Sequence, residues 1–196
     1  MTDETMTVEV ELPNETHERL SKAGDPAAVL SGLADEEARM LDSIERYVER
    51  EDEEGDNRAG GFESLFERSP PIGVLLGVET VDIEPGRSRV RMEAGPRHAN
   101  PMGTLHGGVL CDLGDAAMGY AFASTLEEEE SFTTLELNVN YLKPVWEREL
   151  TATGEVVTSG RTVGVVECDV RDEDGSLVAR LKSTCLKLRG DAASGR

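Results

Sequence analysis

The chain has 196 residues, 38% of them hydrophobic, which is room for one ordinary domain with a real core plus a small appendage. Its charge is lopsided: 40 acidic residues stand against 20 basic ones, only four of them lysines, for a formal net charge of −20. Phosphate-rich partners would be repelled by such a surface, so nucleic acid and anionic membranes are excluded as partners of the surface as a whole. Dense carboxylate with scarce lysine also suits a high-salt, halophilic-like cytoplasm, where self-repulsion is screened.

The three cysteines, Cys111, Cys168 and Cys185, are widely spaced with no CxxC or Cys/His cluster, so neither a disulfide framework nor a metal site is expected. No basic segment followed by an apolar one marks a signal peptide, and no apolar run approaches a membrane span. A soluble cytoplasmic protein is the expectation.

In chain order, residues 1–48 read as a small acidic extension. Val8, Val10 and Leu12 alternate like a short strand, Pro13-Asn14 marks a turn, and a helix can start near Glu15. A second helix is predicted from Asp25-Pro26, with Asp25 as N-cap and Pro26 in the first helical position. A third is predicted from Asp35 to about Arg50, carrying Met40, Leu41, Ile44, Tyr47 and Val48. A strand and helices of this size resemble a ribbon-helix-helix dimer unit, but Glu9 and Glu11 would put the wrong sign against DNA, which favours a packing or oligomerisation element. Residues 49–61, acidic and Gly-rich without periodicity, read as a linker.

The main domain is predicted over 62–190. A short amphipathic helix in "GFESLFERSPPIGVLLG" is expected to stop at Pro70-Pro71. Strands follow at about 78–84 and 87–93 across the Pro-Gly turn, then a Gly/Ala-rich helix over 107–124. Four strand-like runs complete the domain at 131–142, 147–158, 162–172 and 176–188, with turns at Lys143-Pro144, Ser159-Gly160 and Asp174-Gly175. One long helix among antiparallel strands is an α+β layer architecture.

The helix carries the chemistry. At 100° per residue, Cys111, Asp115, Met118 and Phe122 fall within about 60° of one another, placing Asp115 on an apolar stripe. Asp112 projects to the other side, among Ala116, Gly119 and Ala123. A carboxylate in a helix is most often a surface charge or a satisfied polar group. The small residues of this helix argue for close enclosure by other backbone instead, where a lone acid needs a task. Just upstream, "NPMGTLHGG" joins a polar loop from Asn100 to the helix N-terminus at His106-Gly107-Gly108. Free N–H groups there can stabilise developing negative charge, which is what an oxyanion hole requires. The paired glycines fit a tight turn equally well, and His106 fits a helix cap.

The N-x5-HGG-x7-D pattern of Asn100, His106-Gly107-Gly108 and Asp115, followed by "TTLELNVNYLKPV", resembles the hot-dog-fold acyl-CoA thioesterases, in particular their phenylacetic-acid-degradation branch. The resemblance spans about residues 65–189 and leaves the first sixty without a counterpart. It implies a long antiparallel sheet wrapped around one central helix, and an enzyme that hydrolyses an acyl- or aryl-CoA thioester to carboxylate and free CoA without a cofactor. It further implies Asp115 as nucleophile or general base, the Gly107 N–H as oxyanion donor, and His106 and Asn100 as groups orienting the thioester or the attacking water. Thr134 falls where relatives often place a hydroxyl, commonly Ser, beside the acid. A homodimer or homotetramer with sites across subunit interfaces is implied as well.

Helix length alone points the same way. Nine residues span about 13.5 Å, so His106 and Asp115 of one chain cannot reach one carbonyl. Candidate substrate contacts are Gly108 with Met118 and Phe122 as pocket walls, and for CoA phosphates the scarce cations Lys143, Arg148, Arg161 and Lys182. Hot-dog hydratases or dehydratases, and a non-catalytic acyl-CoA-binding regulator, are the alternatives. A dehydratase would pair His with an acid at carbon, whereas an acid plus an oxyanion site suits acyl transfer.

Overall fold

The computed structural model describes residues 9–52, 70–127 and 129–194. The chain divides into two compact units, Met1–Asp42 and Ser43–Arg196.

Helix α1 spans Asn14–Ala23 and α2 spans Pro26–Asp52. Asp25 caps α2 as expected, its Oδ2 accepting the Ala28 N–H at 3.0 Å, with Pro26 in the first position. The strand expected around Val10 and Leu12 does not form: residues 9–13 have no regular structure, and Val8 lies outside the described residues. The two helices expected from Asp25 and Asp35 are one. Gly32 is the sole breaker between them, and carrying a helix through one glycine costs about 1 kcal/mol, less than abandoning a turn of hydrogen bonds. Residues 49–52, read as the start of a linker, continue α2, and 53–61 lie outside the described residues, as does the helix expected before Pro70. The prolines open a helix rather than closing one. Pro70 is the N-cap and Pro71 the first residue of α3, Pro71–Leu76, because a proline at that position forfeits no intrahelical hydrogen bond.

Among the described residues the rest is a six-stranded antiparallel sheet with one long helix against it. The strands are β1 (Val78–Glu84), β2 (Arg87–Ala94), β3 (Ser131–Tyr141), β4 (Arg148–Ser159), β5 (Val163–Asp172) and β6 (Leu177–Leu188), in the order β1-β2-β4-β5-β6-β3. Helix α4, Gly107–Ala123, lies on one face. Alternation decides which side chains meet it: Val90 and Met92 of β2, Leu150 and Ala152 of β4, Val166, Cys168 and Val170 of β5, and Leu181 and Cys185 of β6 are buried with Leu113, Ala117, Met118 and Phe122 of α4. The opposite face carries ion pairs across strands, Arg91 with Glu79, Arg89 with Asp82, Arg87 with Glu155 and Arg180 with Asp169, and one along β5, Arg171 with Asp169.

The helix sits close because glycines let it. A Cβ on Gly154 of β4 would lie 2.5 Å from the Ala117 carbonyl oxygen, the same atom that accepts the Ser88 hydroxyl at 2.6 Å. Gly154→Ala forces backbone apart inside the core. At about 1–3 kcal/mol for overpacking, it should lower Tm by roughly 4–10 °C in a thermal melt.

Candidate active site

The loop before α4 is organised by its own polar groups. Leu105 N–H bonds to the Val145 carbonyl at 2.7 Å and His106 N–H to the His98 carbonyl at 2.9 Å, which fixes where the helix begins. Asn100 braces the loop: its Nδ2 donates to Thr104 Oγ1 at 2.8 Å and its Oδ1 accepts from Met102 N–H at 2.9 Å. One amide N–H and one lone pair remain for other partners.

His106 is the N-cap. Its Nδ1 accepts the Gly108 N–H at 2.9 Å, so the neutral imidazole carries its proton on Nε2. Gly107, in the first helical position, has an N–H with no acceptor within the helix. A Cβ on Gly107 would lie 2.9 Å from the Tyr141 ring, so only glycine allows this approach. The Tyr141 hydroxyl donates to the Gly107 carbonyl at 3.1 Å and lies 3.2 Å from Cys111 Sγ. The hydrogen bond with Cys111 and then burial push the phenol up to about 12, so it is a donor throughout the physiological range. Beside it opens a cavity of about 460 Å³ lined by Asn100, Thr104, Gly107, Tyr141 and Lys143 and by apolar Leu105, Leu110, Leu142, Pro144 and Val145. Tyr141 is missing from the sequence-based site because nothing in its local pattern distinguishes it from an ordinary strand residue.

Two turns further along α4, Asp115 is exposed on this chain, a departure from the enclosure expected of its stripe. The sheet covers only one side of the helix. Met118 and Phe122 turn into the core at 0% exposure, while Asp112 and Asp115 face outward beside β3. Met118 and Phe122 are therefore core residues and line no open surface of this chain; Phe122 meets Phe132 edge-on at 5.4 Å between ring centroids. Thr134 Oγ1 stands 3.4 Å from Asp115 Oδ1. Protein packed around the base of Asp115 removes water and holds its carboxyl above the ordinary value; the Thr134 hydrogen bond opposes this and the charge of Asp112 adds to it.

The four cations expected near CoA differ. Lys143 Nζ is 2.8 Å from Asp172, which is buried, and Arg148 pairs with Glu173 at 3.0 Å and Asp174 at 2.7 Å. Both are tied to the β5–β6 turn. Arg161 and Lys182 are exposed, Arg161 in the β4–β5 turn and Lys182 on the sheet face away from α4. His98, not singled out from the sequence, is buried and held below its ordinary value by burial and by Arg97; its Nδ1 accepts the Gly95 N–H, a structural role. Among the described residues no group of three or more His, Cys, Asp or Glu could hold a metal ion, and no helix is long and apolar enough to cross a membrane.

A long antiparallel sheet on one central helix, with a glycine-rich N-terminus and an acid on the helix, defines a hot-dog protein. Residues 102–179 match the thioesterase superfamily. An esterase-named protein of Saccharolobus solfataricus is 33% identical over 128 residues, covering 65% of this chain and 91% of that one. The 1,4-dihydroxy-2-naphthoyl-CoA hydrolase of Listeria monocytogenes is 32% identical over 109 residues, 56% of this chain and 89% of that one. Among solved structures, a thioesterase of Haemophilus influenzae superposes with a TM-score of 0.61 at 28% identity, covering 65% of this chain and 90% of that one. The chain belongs to the thioesterase superfamily and is a thioester hydrolase by class.

Proposed function

We propose that the chain hydrolyses an acyl- or aryl-CoA thioester to the carboxylate and free CoA, in a site shared by two subunits, with Asp115 as the reacting acid and Gly107 N–H as the oxyanion donor. The observation that carries this reading is the pairing of an uncovered Asp115 with an uncovered sheet edge. Strand β3 ends the sheet, with Leu135 58% exposed, so one row of its backbone groups has no neighbour strand among the described residues. A second copy pairing there would extend the sheet and cover the open face of α4. It would also bring its own His106-Gly107 toward this Asp115. CoA as the carrier agrees with the hydrolase and thioesterase names of the relatives.

The chemistry follows from the groups present. The Asp115 carboxylate takes a proton from water as the water oxygen bonds to the thioester carbonyl carbon, or it attacks that carbon directly and water hydrolyses the resulting anhydride. In either route Gly107 N–H holds the oxyanion, and collapse breaks the C–S bond and releases the thiolate, which takes up a proton. A raised pKa makes the carboxylate a stronger base. Arg161 and Lys182 carry no partner in an ion pair described above and remain the candidates for CoA phosphates; Lys143 and Arg148 serve the fold first.

A kinetic screen tests the reading: purified protein in high salt against acetyl-, medium-chain, phenylacetyl- and hydroxybenzoyl-CoA, following released thiol. The apolar cavity walls predict a kcat/KM at least ~10-fold higher for the larger acyl groups than for acetyl. Tight acyl-CoA binding without thiol release would instead favour a regulator, and hydration of an enoyl-CoA would favour a hydratase.

A further inference from the structure

We propose that Tyr141 is a positioning residue that sets the Gly107 N–H for the oxyanion, and that β3 thereby holds both halves of the chemistry on α4. The inference rests on the thioesterase reading above and assigns a role to a residue outside the motif.

Tyr141 is the last residue of β3 and is 53% exposed, so it contributes little to the core, yet the hydroxyl end of its ring lies so close to Gly107 that a Cβ there would stand 2.9 Å from it. Its hydroxyl reaches the Gly107 carbonyl at 3.1 Å, and Cys111, one turn later, stands 3.2 Å from the same oxygen. The phenol proton is directed to Gly107, and Cys111 Sγ stands beside the same oxygen. The first turn of α4 is thus pinned through its carbonyl side, while the peptide N–H on its other side stays free for a ligand. Pinning the helix end in this way preorganises the donor before substrate arrives.

Both Thr134 and Tyr141 face α4, although they are seven residues apart and simple alternation would put them on opposite faces. The register shifts between Thr134 and Glu136: Thr134 pairs with Cys185 and Tyr141 with Ala179, both buried residues of β6. Leu135 is the extra residue. The bulge therefore turns one strand into a two-point holder, Thr134 against the acid and Tyr141 against the oxyanion donor.

The test is Tyr141→Phe in the full chain, with Gly107→Ala and the double variant. Phenylalanine keeps the ring and removes the hydroxyl. We expect kcat to fall about 10-fold with KM within about 2-fold and Tm essentially unchanged, a smaller loss than that of an oxyanion donor itself. Gly107→Ala displaces the ring, so the two losses should combine to less than their product. Independently of activity, exchange of the Cys111 amide, the helical donor to the Gly107 carbonyl, should quicken about 10-fold in Tyr141→Phe. An unchanged kcat, a change in KM alone, or multiplicative losses would overturn the role, and so would unchanged amide exchange. If the wild type hydrolyses no thioester, the proposed function fails by that result, and amide exchange still decides whether Tyr141 pins the helix.

Discussion

Asp115→Asn should lower turnover by at least ~10²-fold while leaving the fold and the oligomer intact, and its Tm at neutral pH should equal or exceed that of the wild type. The rate loss is the usual scale for a catalytic acid or base. The stability follows from the sign of the pKa shift. The folded carboxyl sits above its ordinary value of 3.8, chiefly through desolvation, so its contribution to stability is fully present below about that pH and is lost as pH rises through the raised value. At neutral pH the wild type carries the ionised form in an unfavourable setting, and asparagine, similar in shape and neutral, relieves it. The melting curves should converge as the pH falls toward 4. The same shift places the acid limb of the wild-type kcat/KM profile above 3.8. Near-normal hydrolysis by the variant would remove Asp115 from the mechanism, and a large fall in Tm would give it a structural role instead.

The second large effect is recovery of activity from two dead proteins. Asp115→Asn and His106→Ala homo-oligomers, unfolded together and refolded as a mixture, should regain about a quarter of wild-type activity. Random pairing makes about half of the dimers hybrids, and in each hybrid one site receives both lesions and the other neither. The arithmetic requires independent sites and parents that are each nearly inactive. A site confined to one chain would give no recovery, because every site would still carry one lesion. The structure leaves both residues exposed on a single chain, and about 13.5 Å of helix separates them. Size analysis of the mixture, and a wild-type sample taken through the same cycle, control for refolding. With those controls passed, a mixture no more active than its parents would redirect attention to Asp112, which shares the open face of α4.

Local pattern was enough for most elements of the main domain. The expected helix at 107–124 is observed as Gly107–Ala123, and the strand runs lie within a residue or so of β1 to β6, because the alternation of buried positions in β2, β4, β5 and β6 is written directly in the order of side chains. The Asp25 cap and Pro26 were legible for the same reason: capping is a matter of three or four neighbouring residues. Thr134 beside Asp115 was legible only through the family resemblance. What tertiary structure alone decided is how those elements face one another. Helical spacing put Asp115 with Met118 and Phe122, but the sheet covers one side of α4 and stops, so two of the three are core and the acid is open. Nothing in "TTLELNVNY" announces that Leu135 is an extra residue, since a bulge is a property of two strands in register. It is the bulge that turns Tyr141 toward Gly107. Lys143 and Arg148 looked like free cations for the same reason: their acidic partners lie 25 or more residues away and reach them only when β5 and β6 turn back beside β4. Short-range order is set by neighbours along the chain, whereas the open face, the bulge and the ion pairs arise from distant segments meeting, which periodicity does not encode.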